Sequence, residues 1–145
     1  MSKGRTESLV FDTGVLVEIV NGSELGLGLK PKLEDGTVVP HVTDVNLFEL
    51  SYLVCRKEGW EKATQVVGSL RRAGYFEVHD AHGFMEGAAK LKCERALSMA
   101  DCLAISAGRS LGVPVLFARH EKELDAEAEK RAFDVELRFL TDIAC

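Results

Sequence analysis

Apolar residues recur along this chain in short runs and helical stripes, set apart by turn signals. Ser8–Phe11 (SLVF) is an apolar run closed by Asp12-Thr13-Gly14, the pattern of a buried parallel strand ending in a turn. Val15–Val20 continues as a helix with Asp12 or Thr13 as its cap. Asn21–Pro40 changes character: it holds Gly22, Gly26, Gly28 and Gly36 and two of the chain's three prolines, and it reads as a long loop with room for a short helical turn or hairpin. Thr43–Lys57 (TDVNLFELSYLVCRK) is a helix capped by Thr43 or Asp44 and stopped by Gly59. Trp60–Ala73 is another, with Ala63, Val66, Val67 and Leu70 on one side. Tyr75–Val78 (YFEV) is a second strand and Gly83–Arg95 a helix.

The most complete local signal lies in Ser98–Gly112 (SMADCLAISAGRSLG). Ser98 followed three residues later by Asp101 is a capping-box-like start, with Asp where Glu or Gln is usual. Leu103, Ala104, Ile105, Ala107 and Leu111 form the apolar body, and Gly112 is the expected left-handed stop. Val113–Phe117 (VPVLF) is a third strand, Glu121–Lys130 a charged helix, and Phe133–Leu140 a last strand by its alternation. Strands alternating with helices predict an α/β fold, a mostly parallel sheet with helices on both faces, in a single domain over residues 1–145.

Composition narrows the classes. A hydrophobic fraction of 46% excludes a disordered chain, and no apolar run reaches the roughly 20 residues of a membrane span. The opening stretch MSKGRTESLVFD has no signal-peptide apolar region, so a cytoplasmic protein is expected. The cysteines Cys55, Cys93, Cys102 and Cys145 form no CxxC pair and are expected to be buried thiols rather than zinc ligands. His79 and His82 read as loop residues. The net charge of −5 argues against a broad nucleic-acid-coating surface. Arg71 and Arg72, and Lys90, Lys92 and Arg95, read as solvated helix faces.

Acids fall where the pattern puts the carboxyl ends of strands. Asp12 follows the first strand and Glu121 the third, after Ala118-Arg119-His120. Asp101 starts the helix leading into that third strand and reaches the same edge if the helix begins there. Glu49 has mostly apolar helical neighbours, the mark of a stripe border or of a residue buried for a purpose. Three or four carboxylates in one place repel each other, and the usual reason to gather them is a hard divalent cation, Mg²⁺ or Mn²⁺. Such an ion polarises a phosphodiester and activates water for in-line attack.

LVFDTG, NLFEL, SMADCLAISAG and PVLFARHEKEL, in this order and spacing from about Leu9 to Leu140, resemble the PIN domain family. More narrowly they resemble its VapC-type toxin ribonucleases and their archaeal relatives. The resemblance implies a Rossmann-like three-layer fold with about five parallel strands and a Mg²⁺- or Mn²⁺-dependent endoribonuclease. It carries the acidic site onto Asp12, Glu49 and Asp101, with Glu121 as the fourth acid and Glu123 as the alternative. Thr13 and Ser98 support that site. The implied partners are an RNA substrate, a small antitoxin protein and a second copy of the chain. Two rival expectations stand beside it: a PIN fold without catalysis that serves as a binding or scaffold subunit, and a phosphatase or receiver-like domain using Lys122.

Overall fold

The computed structural model describes residues 5–143; Cys145 and the start of the opening stretch lie outside them. In chain order the elements are β1 (Glu7–Phe11), α1 (Thr13–Asn21), α2 (Glu24–Glu34), β2 (Val38–Thr43), α3 (Asp44–Glu58), α4 (Trp60–Arg72) and β3 (Glu77–His79). A 3-10 turn (Ala81–Phe84) follows, then α5 (Met85–Glu94), α6 (Met99–Leu111), β4 (Val115–Phe117), α7 (Lys122–Lys130), β5 (Leu137–Phe139) and α8 (Leu140–Ile143). The strands form one parallel sheet in the order β3-β2-β1-β4-β5.

Strand alternation splits the core in two. Leu9, Phe11 and Leu116 face Val15, Leu33, Leu50 and Leu70 under α1–α4, whereas Val10, Val115 and Phe117 face Leu91, Ile105 and Leu124 under α5–α7. Val10, Phe11, Val115, Leu116 and Phe117 are each 0% exposed. Each contributes roughly 1.5–3 kcal/mol of transfer free energy. The centre of the sheet is therefore its most firmly held part, and the loops beyond β1 and β4 hang from it.

Several boundaries differ from expectation. Asn21–Pro40 is not a loop: it contains all of α2 and the first half of β2. Ser23 caps α2 by accepting from the Gly26 N–H at 3.2 Å, and Leu29 and Leu33 are buried. Gly26 lies so close to the α1 backbone that a Cβ there would overlap the Glu18 carbonyl. Packing against α1 thus overrides the poor helix propensity of its glycines and Pro31. Pro40 sits inside β2 but precedes His41, where pairing with β3 begins, so that flank of β2 is still an edge.

The second predicted strand shifts from Tyr75–Val78 to Glu77–His79, because Tyr75 and Phe76 are spent on packing; Phe76 meets Phe11 edge-on at 6.5 Å. The helix predicted over Gly83–Arg95 is the 3-10 turn followed by α5. Of Val113–Phe117, only Val115–Phe117 is strand, since the Val113 N–H turns back to the Gly108 carbonyl. Of Phe133–Leu140, only Leu137–Phe139 is strand. The carbonyls of Arg131 and Ala132 are taken by the Arg95 side chain, and the Phe133 ring lies under its guanidinium at 4.0 Å.

Candidate metal centre

Asp12 leaves the end of β1 in an extended conformation and starts α1, one of its carboxylate oxygens accepting the Gly14 N–H at 3.3 Å. The other, Oδ1, is buried and has no hydrogen-bond partner among the described residues. At α6 the Ser98 hydroxyl accepts the Asp101 N–H at 3.1 Å, which presents the Asp101 carboxyl from the first turn. The chain reaches this point from β3, at the sheet edge, through α5; α6 then leads into β4, beside β1. Glu121 occupies the cap position of α7 without using its side chain as a cap. Carboxylate oxygens of Asp12, Asp101 and Glu121 all lie within 4.8 Å of one another.

Glu49 lines the same cleft, half-buried, but does not join that group; its Oε2 accepts from the Tyr52 hydroxyl at 3.4 Å. Glu123 also lines the cleft outside the group. Beneath Glu49 runs a buried polar relay that the sequence reading missed. The Thr43 hydroxyl donates to Asn46 Oδ1 at 2.7 Å, and Asn46 Nδ2 donates to the Thr13 hydroxyl at 2.9 Å. This ties the end of β2, the start of α3 and the start of α1 together, and so sets where Glu49, three residues on from Asn46, stands relative to Asp12. The signal available was Asn46 itself, a polar residue between apolar neighbours in NLFEL.

Burial pushes the Asp12 carboxyl well above its usual range, and the charge of Asp101 pushes it further, with smaller contributions from Glu49 and Glu121; the Gly14 N–H opposes this. Asp101 is raised by burial too, against hydrogen bonds from Asp12 and Ser98. Glu121 is exposed at the mouth of the cleft, yet desolvation by the cleft wall raises it, followed by the charges of Asp101, Glu123 and Glu49. The Asp12 and Asp101 carboxylates lie close enough that the charge of one raises the cost of ionising the other.

The cleft has a volume of about 630 Å³ and opens to solvent. Its clustered donors are all carboxylate oxygens, the ligand type of Mg²⁺ and Mn²⁺ rather than of softer metals. The orphaned Asp12 Oδ1 is the second mark of fit: a buried acceptor without a donor is completed by a cation. Asp12, Asp101 and Glu121 are the residues that would hold one directly.

Other candidates resolve differently from expectation. His79 is in β3, not a loop, and its Nε2 meets His41 Nδ1 at 2.8 Å; His82 is in the 3-10 turn. Cys102 is buried, Cys55 half-buried and Cys93 exposed, so the buried-thiol expectation fails at Cys93. The Lys90, Lys92 and Arg95 group is not one solvated face, because Arg95 is buried and Lys92 lines the acidic cleft.

Fold and site together define a Rossmann-like parallel α/β protein with a carboxylate centre at the carboxyl edge of its sheet. The chain belongs to the PIN domain family, whose profile matches residues 9–126. No curated protein matches the sequence. Among solved structures it is similar to DNA-bound VapBC from Salmonella typhimurium, at TM-score 0.66 and 14% identity over 93% of this chain and 98% of that one. It is similar to VapC20 of Mycobacterium tuberculosis, described as a sarcin-ricin loop cleaving toxin, at TM-score 0.64 and 18% identity over 81% and 93%. PAE2754 from Pyrobaculum aerophilum is similar at TM-score 0.62 and 13% identity over 96% and 87%. At these identities the likeness is one of fold.

Proposed function

We propose that this protein is a Mg²⁺- or Mn²⁺-dependent endoribonuclease of the VapC type, the toxin of a toxin–antitoxin pair. One observation carries the reading: Asp12, Asp101 and Glu121 present carboxylate oxygens within 4.8 Å of one another. Membership of the PIN family and the VapBC neighbours support it. Asp12, Asp101 and Glu121 hold the cation, and Glu49 contributes through its charge or through water. A cation held there would supply Lewis-acid polarisation of a phosphodiester and a bound water of lowered pKa. The protein's own part is positional. Ser98 fixes the first turn that carries Asp101, and Thr13 with Asn46 fixes the turn that carries Asp12. Without a cation, the crowded acids retain protons above the usual carboxylate range and give them up as the site fills.

The same reading takes RNA as substrate, a small antitoxin and a second copy of the chain as partners, and the cytoplasm as the place of action. Among the described residues no helix is long and apolar enough to cross a membrane.

The test is incubation of a mixed RNA pool with Mg²⁺, Mn²⁺ or excess EDTA. Cleavage with either ion and none with chelator is expected. Robust cleavage in chelator removes the metal mechanism, and no cleavage under any condition turns the reading toward a catalytically silent PIN-fold binding subunit. Light scattering well above the monomer mass of 15.9 kDa is expected for the dimer.

A further inference from the structure

The charged side chains of the cleft are unequal in sign. Asp12, Glu49, Asp101, Glu121 and Glu123 line it, and against these five acids the lining has, among the described residues, one cation, Lys92. Lys92 comes from the last turn of α5. In a cleft with so many carboxylates, an ammonium would be expected to pair with one. Its hydrogen bond goes instead to a neutral group, the Leu97 carbonyl, at 2.7 Å. A lysine ammonium carries three donors, so this bond anchors it and leaves two.

The anchor sits next to the chemistry in sequence. Leu97 immediately precedes Ser98, whose hydroxyl caps the turn carrying Asp101. Arg95, two residues before Leu97, is bolted to the carbonyls of Glu127, Arg131 and Ala132. The ammonium is therefore held at a set place on the wall of the same cleft by a linker that is itself pinned to the body of the fold. A backbone of phosphodiesters approaching this cleft meets carboxylates on most sides, and a cation on the metal centre neutralises charge at one phosphate only.

We propose that Lys92 is a substrate-phosphate contact, binding a backbone phosphate beside the scissile one and so laying the RNA strand across Asp12, Asp101 and Glu121. This rests on the nuclease reading above. Lysine binds phosphate as a compact point charge and reads no base edge, so the contact strengthens binding without selecting sequence.

The experiment compares wild type, Lys92→Met, Lys92→Arg and Lys90→Met in steady-state cleavage of a short single-stranded RNA. Mg²⁺ is held constant and monovalent salt is varied between about 50 and 200 mM. Lys90 is the matched control: it lies on the same helix with the same charge, but borders a different hollow with Arg109 and Arg131. For Lys92→Met a KM increase of roughly fivefold is expected at unchanged kcat, the scale of one exposed charge contact. The slope of log KM against log salt should fall by about 0.7, the counterion share of one single-strand phosphate. Lys92→Arg should restore both, and Lys90→Met should change neither.

If Lys92→Met only lowers the melting temperature and keeps the wild-type KM and salt slope, Lys92 is a clamp on the α5–α6 linker and the proposal is overturned, with the nuclease reading intact. If wild type itself cleaves no RNA, the reading falls and the role of Lys92 falls with it; that outcome is visible before any variant is made.

Discussion

Arg95 and Asp12 are both buried charged residues, 7% and 5% exposed, and the fold treats them in opposite ways. The Arg95 guanidinium donates to the carbonyls of Glu127 at 2.8 Å, Arg131 at 2.7 Å and Ala132 at 3.3 Å, and covers the Phe133 ring; only its Nε lacks a partner. Asp12 receives a single 3.3 Å N–H on one oxygen and nothing on the other, and its charged neighbours share its sign. Burying a charge is costly unless it is paired or hydrogen-bonded. Where the compensation is nearly complete, the residue holds architecture together: Arg95 fastens α5 to the chain after α7. Where it is withheld, the cost persists in the folded protein until a ligand removes it, and such residues mark functional sites.

The sharpest way to break this contrast is Asp12→Asn. Asn caps a helix as well as Asp does, so α1 should survive while the buried charge disappears. Metal-dependent RNA cleavage should be abolished. A variant that still cleaves at the wild-type rate would remove Asp12 from the chemistry.

Arg95→Met acts at the other pole. It strips the Arg95 donor from the Arg131 and Ala132 carbonyls and leaves the Glu127 carbonyl with only the Arg131 N–H, and unfolding in urea should show a loss of roughly 3 kcal/mol. RNA cleavage per folded molecule should fall far less than in Asp12→Asn, because Arg95 acts on the site only through the linker to Ser98. A stability equal to wild type would mean that Arg95 carries no architectural load.

Within the acidic group, Glu121→Gln should lower cleavage by roughly tenfold to a hundredfold, the scale of perturbing a metal's ligand shell, and Glu123→Gln by less. Glu121 shares the 4.8 Å cluster with Asp12 and Asp101, whereas Glu123 only borders it. Equal losses in a side-by-side assay would mean that the two acids trade places when the site is loaded.

The smallest expected effect is on metal-free stability. A carboxyl whose folded pKa is raised costs nothing at low pH, where both states are protonated. Its cost grows once pH exceeds the unfolded value, about 3.9 for Asp, and levels off above the raised folded value. Asp12 and Asp101 are both raised. In EDTA, Asp12→Asn should therefore match wild type near pH 3 and gain stability upward from about pH 4, reaching on the order of 1 kcal/mol, the worth of one pKa unit. Mg²⁺ should raise the melting temperature of wild type by binding only its folded form, and that of the variant less. A variant clearly less stable than wild type in EDTA, with neither melt moved by Mg²⁺, would make Asp12 a structural cap like any other.

Legibility in the sequence followed how local the physics was. In α6 the Ser98 cap, the apolar body and the Gly112 stop lie within one stretch, and the helix forms at Met99–Leu111 with Ser98 and Gly112 as its caps. In α2 the local signals point the wrong way. Gly26, Gly28 and Pro31 are poor helix residues, and what holds them helical is the Ser23 cap together with tertiary burial of Leu29 and Leu33 as α2 packs on α1 and β2. The Arg95 staple was hidden for the same reason. Nothing near Arg95 distinguishes it from Lys90 and Lys92, and its acceptors are carbonyls more than thirty residues away.

The sequence by itself determined the alternation of strands and helices, the acids at the ends of β1 and α6, and the turn chemistry that presents them, because each rests on neighbours a few residues apart. Only the tertiary structure decided that Asp12, Asp101 and Glu121 share a cluster while Glu49 and Glu123 stand at its border. That grouping depends on β4 pairing beside β1 and on the Thr43–Asn46–Thr13 relay that docks α3. Electrostatic repulsion acts through space, so the strained charge of Asp12 exists only once the sheet has brought its neighbours within reach.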